Sequence, residues 1–124
     1  MTAGRRVRWR DYRTRAGARP VKAFLDTLTD EHVAAVVAAM KDVVHNGLAA
    51  ARHLRGEIYE VRAEADRQAF RILFAQETKF ILLALSGFQK KRAKTPPEEI
   101  ALAESRLADW RRRGRRFRAI VCKL

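Results

Sequence analysis

Polar and apolar positions alternate residue by residue through the middle of the chain and recur every three or four residues on either side of it. In EIYEVRA (57–63), Tyr59, Val61 and Ala63 take one face of a predicted strand, and Ile58, Glu60 and Arg62 the other. EADR (64–67) reads as a turn. QAFRILFA (68–75) resumes the alternation, with Phe70, Ile72 and Phe74 facing the core and Arg71 and Leu73 opposite. After a second turn at QETK (76–79), FILLALSGF (80–88) is apolar on both faces, as expected of a central strand covered on both sides. Connections this short predict an antiparallel meander.

The flanking segments carry other signals. VRWRDY (7–12) sets Val7, Trp9 and Asp11 against Arg8, Arg10 and Tyr12, a further strand, with Trp9 assigned to the core. Pro20 opens a short helix over Val21–Leu28. Thr29 or Asp30 caps a second helix, which puts Val33, Val36, Val37, Met40, Val43 and Val44 on one face and stops at Gly47. These two helices form a hairpin laid on the sheet. Thr95, Pro96 and Glu98 read as N-cap, first-turn proline and capping-box acid of a last helix. Its apolar face is Ile100, Ala103, Leu107 and Trp110, and Gly114 is its expected end. The fold class predicted is α+β, in one domain over residues 1–124, with about 114–124 an extension.

Composition narrows the partners. The 124 residues carry a net charge of +13, and such self-repulsion points to a polyanionic partner, nucleic acid first and an anionic membrane surface or acidic protein after it. The charge is uneven: residues 1–19 hold seven arginines and RRRGRRFR (111–118) six, whereas residues 20–60 carry four basic and six acidic side chains. One cysteine, Cys122, permits no internal disulfide and fits a reducing compartment. MTAGRRVRWR lacks the apolar segment of a secretory signal, and no apolar run approaches ~18 residues, so a cytoplasmic location and no membrane span are expected.

His32, His45 and His53 lack ligand spacing with one another or with Cys122, and there is no phosphate-cradling glycine loop or nucleophile elbow. No metal or other cofactor is predicted. What remains is charge on a sheet face. Glu60, Arg62 and Arg71 share the outward face of two neighbouring strands, Lys90 and Lys91 leave the third strand, and Arg55 precedes the first. Arg92 and Lys94 continue the cationic joint towards the last helix. Such a patch suits metal-free RNA cleavage. The ribose 2′-hydroxyl is the nucleophile, cations stabilise the phosphorane, and a carboxylate or a lysine with a lowered pKa takes the proton. The alternative is a structural Glu60–Arg62 or Glu60–Arg71 pair on a solvated face. Tyr59, Phe70 and Phe88 are candidates to stack on bases, with core packing the preferred reading of Phe70 and Tyr59 facing the core.

The order RPVKAFLDTL, HLRGEIYEVRAE, FRILFA and FILLALSGFQKKRAKTPPEEIALAESRLADW resembles the phage-derived HigB-like toxins of the RelE/ParE superfamily, over roughly residues 7–113. The resemblance implies a RelE-like fold: an antiparallel sheet with two N-terminal helices packed on it and a C-terminal helix. It implies a type II toxin that cleaves mRNA without metal, usually on the translating ribosome. The implied partner is a small helix-turn-helix antitoxin, through which alone operator DNA is bound. The matching positions imply catalytic roles for Glu60, Arg62, Arg71 and Lys90, and RNA binding by Arg55, Lys91, Arg92 and Lys94, with Glu60 and Lys90 both candidate bases. Phe70 stands where the family usually has tyrosine, and Val61 where it has leucine. A gyrase-directed toxin of the ParE branch and a non-catalytic nucleic-acid-binding module are the alternatives.

Overall fold

Two residues, Asp66 and Arg67, make a tight turn between the paired strands of the meander's first hairpin. Both have positive φ (52° and 63°), the backbone that matches the right-handed twist of a two-residue hairpin. The bend joins β3 (Ile58–Ala65) to β4 (Gln68–Thr78). The pairing is antiparallel and sets Arg62 opposite Arg71 and Glu60 opposite Leu73. The computed structural model describes residues 6–90 and 93–122, with side chains described as far as Gly114.

The remaining elements assemble around this hairpin. β1 is Arg8–Asp11, α1 Pro20–Asp26, α2 Asp30–Asn46, β2 Arg52–Arg55, β5 Ile81–Lys90 and α3 Pro97–Cys122. The sheet order is β1-β5-β4-β3-β2. The meander over β3, β4 and β5 is antiparallel as expected, and β1 joins it by pairing parallel to β5. β5 therefore lies inside the sheet, in agreement with its double-sided apolar pattern.

The sheet is sandwiched. On one face Val21, Val36 and Val43 of α1 and α2 pack against Val61, Phe70, Ile72, Phe74 and Leu82. On the other, Ala103 and Leu107 of α3 pack against Ile58, Leu73, Leu83 and Leu85, with Tyr12 beside them. Trp9 belongs to the first core: its indole N–H donates to the Met40 carbonyl at 2.8 Å, and its ring meets Phe74 edge-on at 4.9 Å. Gly87 lets α1 come this close, because a Cβ there would stand 2.6 Å from the Phe24 ring.

Several sequence expectations are corrected. β2, RHLR, was not anticipated; it is a short, charged edge strand without an apolar rhythm. β4 runs on to Thr78, through part of the segment read as a turn. Gly114 does not end α3, which continues to Cys122. A glycine costs a helix only about 1 kcal/mol, and its neighbours here are helix formers. Thr95 does not cap α3 either. The helix opens at Pro97, the Pro96 carbonyl accepts from Glu99 N at 3.0 Å, and the Thr95 hydroxyl is engaged elsewhere. Thr29 does cap α2, accepting from His32 N at 3.2 Å. Asp30–Ala50 is long and apolar enough by composition to span a membrane, contrary to the reading of apolar runs above. Its Val36 and Val43 lie in the first core, as in a core helix of a folded domain.

Candidate functional site

Charge burial divides the predicted residues into two sets. Arg71 and Glu60 are 1% and 3% exposed. Arg71 Nη1 donates to Glu60 Oε2 at 3.2 Å, while Nε stands 3.1 Å from Glu60 Oε1 without hydrogen-bond geometry. Arg71 Nη1 also donates to Thr95 Oγ1, and Thr95 Oγ1 donates to Glu60 Oε2. Arg71 Nη2 donates to the Ala93 carbonyl at 3.0 Å. The alternation of β3 and β4 puts these side chains on the α3 face, and the connection into α3 closes over them. Desolvation pushes the Arg71 pKa down, and the Glu60 charge opposes that shift. A buried pair is tolerated when hydrogen bonds satisfy its remaining groups; here the Thr95 hydroxyl and the Ala93 carbonyl do so for Nη1 and Nη2 of Arg71, and its buried Nε is left without a hydrogen-bond partner.

The second set faces solvent. Arg62 and Lys90 line an open groove of about 630 Å³ with Arg67, Gln68, Gln89 and Ala93. Arg62 is exposed and paired with the still more exposed Glu64 at 2.7 Å, a contact worth ~0–1 kcal/mol that a phosphate can displace. Lys90 sits in register with Ala69, whose small side chain leaves the space between Lys90 and Glu64 open. A bulge brings Lys90 here. The register between β4 and β5 slips at Leu85, so Leu85 and Ser86 both turn towards α3, where Arg106 Nη1 donates to the Leu85 carbonyl and Ser86 Oγ to Glu99. Phe88 and Lys90 then share the face of Arg62 and Arg71. Desolvation, then the charges of Arg62 and Arg71, hold the Lys90 amine below its ordinary 10.5. A cleft that gathers cations around an amine of lowered pKa is a recognisable setting for proton transfer.

The rest of the predicted set separates from this groove. Arg55 lies near the β2–β3 turn and is paired with Glu104 of α3 at 2.5 Å; it does not join Arg62 and Lys90. Lys94 is exposed in the connection before α3. Lys91 and Arg92 lie outside the described residues. Phe70 is core, Tyr59 is half-buried 5.9 Å from Phe74, and Phe88 packs on the α3-side core.

Two contributors were missed in the sequence. Arg52 stands opposite Glu60 in register, and its charge is felt at Arg71; the unread strand β2 concealed it. His32, which lacks metal-ligand spacing in the sequence, is buried at the start of α2, with Nε2 2.9 Å from Asp66 Oδ2. That contact braces the positive-φ turn at one lip of the groove. Among the described residues no cluster of three or more His, Cys, Asp or Glu is placed to hold a metal ion.

Comparison with known proteins gives two findings. A family model described as "Phage derived protein Gp49-like (DUF891)" matches residues 23–108. Over 107 residues the chain is 34% identical to proteins named "Probable endoribonuclease HigB1" from Mycobacterium tuberculosis strains CDC 1551 / Oshkosh and ATCC 25618 / H37Rv. The match spans 84% of this chain and 85% of each relative.

Proposed function

Because the chain belongs to the Gp49-like family of phage-derived, HigB-like toxins, we propose that it is an endoribonuclease toxin, held in check by a cognate antitoxin, whose substrate lies in the Arg62–Lys90 groove. The observation that carries this reading is the gathering of Lys90, with its lowered pKa, and exposed Arg62 around open space on one sheet face. Lys90 in its neutral form takes the proton of a ribose 2′-hydroxyl. The resulting oxygen attacks the adjacent phosphorus, a 2′,3′-cyclic phosphate forms, and the 5′-oxygen leaves with a proton from solvent. Arg62 offsets the charge that develops on the phosphorane, the step at which preorganised cations act most strongly. Arg71 and Glu60 hold the connection at Ala93 and Thr95, and so fix the wall from which Lys90 projects.

In this reading mRNA on the translating ribosome is the substrate, and Lys91, Arg92 and Lys94 extend the contact along the phosphate backbone. The antitoxin is a small helix-turn-helix protein that alone carries the pair to operator DNA. The site of action is the cytoplasm. The test is to induce the protein briefly in cells and map mRNA 5′ ends, alongside Lys90→Ala and Arg62→Ala variants. New ends within coding regions that vanish in the variants are expected. Intact mRNA with induction of DNA-damage signalling would replace this reading with a gyrase-directed toxin.

A further inference from the structure

The two arginine-rich ends, far apart in sequence, meet in space. β1 pairs parallel with β5, Arg8 opposite Ile81 and Arg10 opposite Leu83. Arg8, Arg10 and Tyr12 share the alternating face of β1 that looks towards α3, where Tyr12 packs beneath the helix and the Arg10 guanidinium lies 6.0 Å from the Trp110 ring centre. Two adjoining depressions run over this surface. One of about 600 Å³ is lined by Arg6, Arg8 and Phe80, the other of about 330 Å³ by Arg10, Trp110 and Gly114, and they share Thr78 and Ile81.

Charge here is uncompensated. Among the described residues no acidic side chain lies within salt-bridge distance of Arg6, Arg8 or Arg10, whereas the neighbouring Arg19, Arg111 and Arg113 are paired with Asp11, Glu57 and Glu77, and Asp109. Glu77, the one acid lining the two depressions, is taken by Arg111 at 2.7 Å. Gly114 adds a second signal, independent of charge. A helical side chain leans over the turn N-terminal to it, so a residue at 114 would cover Trp110. The glycine leaves that space empty, and a Cβ there would meet nothing within 4 Å. Gly114 thus adds no side chain over the partly buried Trp110, which lines the depression beside arginines without an acidic partner among the described residues.

We infer that this groove, formed by Arg6, Arg8, Arg10 and Trp110, is a second binding site for single-stranded RNA, with arginines on the phosphates and a base against the indole. Aromatic rings interleaved with cations are the features single strands require, since a base stacks on the ring while its phosphate meets the cation. The groove flanks the C-terminal half of α3 on the same sheet face as the Arg62–Lys90 groove, at the other end of β5. Ten strand residues separate the two ends, or about 30 Å. Given the proposed cleavage reaction, the second groove would hold the RNA away from the scissile bond; RNA binding in it does not require that cleavage occur.

The experiment measures affinity by fluorescence anisotropy, with the full chain and a short labelled RNA bearing 2′-O-methyl groups throughout, which cannot be cleaved by 2′-attack. Arg8→Glu with Arg10→Glu is expected to weaken binding at least about tenfold and to lower the slope of log affinity against log salt by about two. Gly114→Leu, which raises helix propensity and changes no charge, is expected to weaken binding severalfold and to remove RNA-induced quenching of tryptophan fluorescence. Trp110→Phe should remove the same quenching, leaving Trp9 unresponsive in the core. Cleavage at saturating unmodified RNA should keep its wild-type rate in all of these variants. Affinities within twofold of wild type for both the Arg8/Arg10 and Gly114 variants, with unchanged melting temperatures, would overturn the proposal. So would loss of antitoxin binding in those variants with RNA affinity intact, which would assign the face to a protein partner. Loss of the cleavage reading alone, with the affinity changes observed, leaves the second groove standing.

Discussion

Arg71 and Arg62 face each other across one hairpin, in register, yet they live in different solvents. Arg71 is 1% exposed and enclosed by Glu60, Thr95 and the Ala93 carbonyl. Arg62 is exposed, with Glu64 as its only acidic partner among the described residues. The same side chain therefore has two uses a strand's width apart. Where the connection into α3 covers the sheet, arginine ties that connection down. Where the cover ends, Arg62 and Lys90 line an open groove, the one in which the proposed substrate lies. Residue type alone does not separate buried from solvent-facing charge, and what packs over it does.

The largest effect is expected on the buried side. Arg71→Ala strands Glu60 in the interior and is expected to cost about 3–5 kcal/mol in urea unfolding. Replacing both partners together, Glu60→Leu with Arg71→Met, should recover most of that stability while cleavage stays lost, because the anchor at Thr95 and Ala93 is gone. A double variant that unfolds as readily as Arg71→Ala would mean the pair is not a self-contained unit. On the open side, Lys90→Ala should leave unfolding within about 0.5 kcal/mol of wild type and slow cleavage by about 10²–10⁴-fold. A normal rate there would remove Lys90 from the reaction.

The pH profile sharpens the same contrast. The Lys90 amine is held below 10.5 by desolvation and by neighbouring cations, so its neutral, proton-accepting fraction grows as pH rises through that lowered value, and the rate should climb in that window. Arg62→Gln removes one of the cations. It should raise the Lys90 pKa and move the rising limb to higher pH, and an unmoved limb would uncouple the two groups. The smallest effect is expected at Glu64→Gln, which frees Arg62 from its exposed partner. RNA affinity should rise, by less than about fivefold, since such pairs are worth under ~1 kcal/mol, and the gain should fade in high salt.

Much of the scaffold was legible along the chain. Period-two alternation located β3 and β4, the double-sided apolar run marked β5 as interior, and Pro20 and Thr29 announced the N-terminal helices. Legibility failed where a local signal was weak or claimed by a distant group. RHLR is too short and too charged to read as a strand. Thr95 looks like a cap, but its hydroxyl is drawn to Glu60 and Arg71. Gly114 looks like a helix stop, but one glycine among helix formers is not enough to end α3.

Which residues share a face of each strand, and how much positive charge the molecule must place, follow from the order of residues alone, because alternation and composition are properties of the chain. The tertiary structure decided which of those charges meet water. The bulge at Leu85 turned Lys90 to the face of Arg62, the chain leaving Ala93 sealed Arg71 in, and the parallel pairing of β1 with β5 brought Arg8 and Arg10 beside Trp110. Register slips and coverings depend on contacts between segments dozens of residues apart, and no local periodicity encodes them.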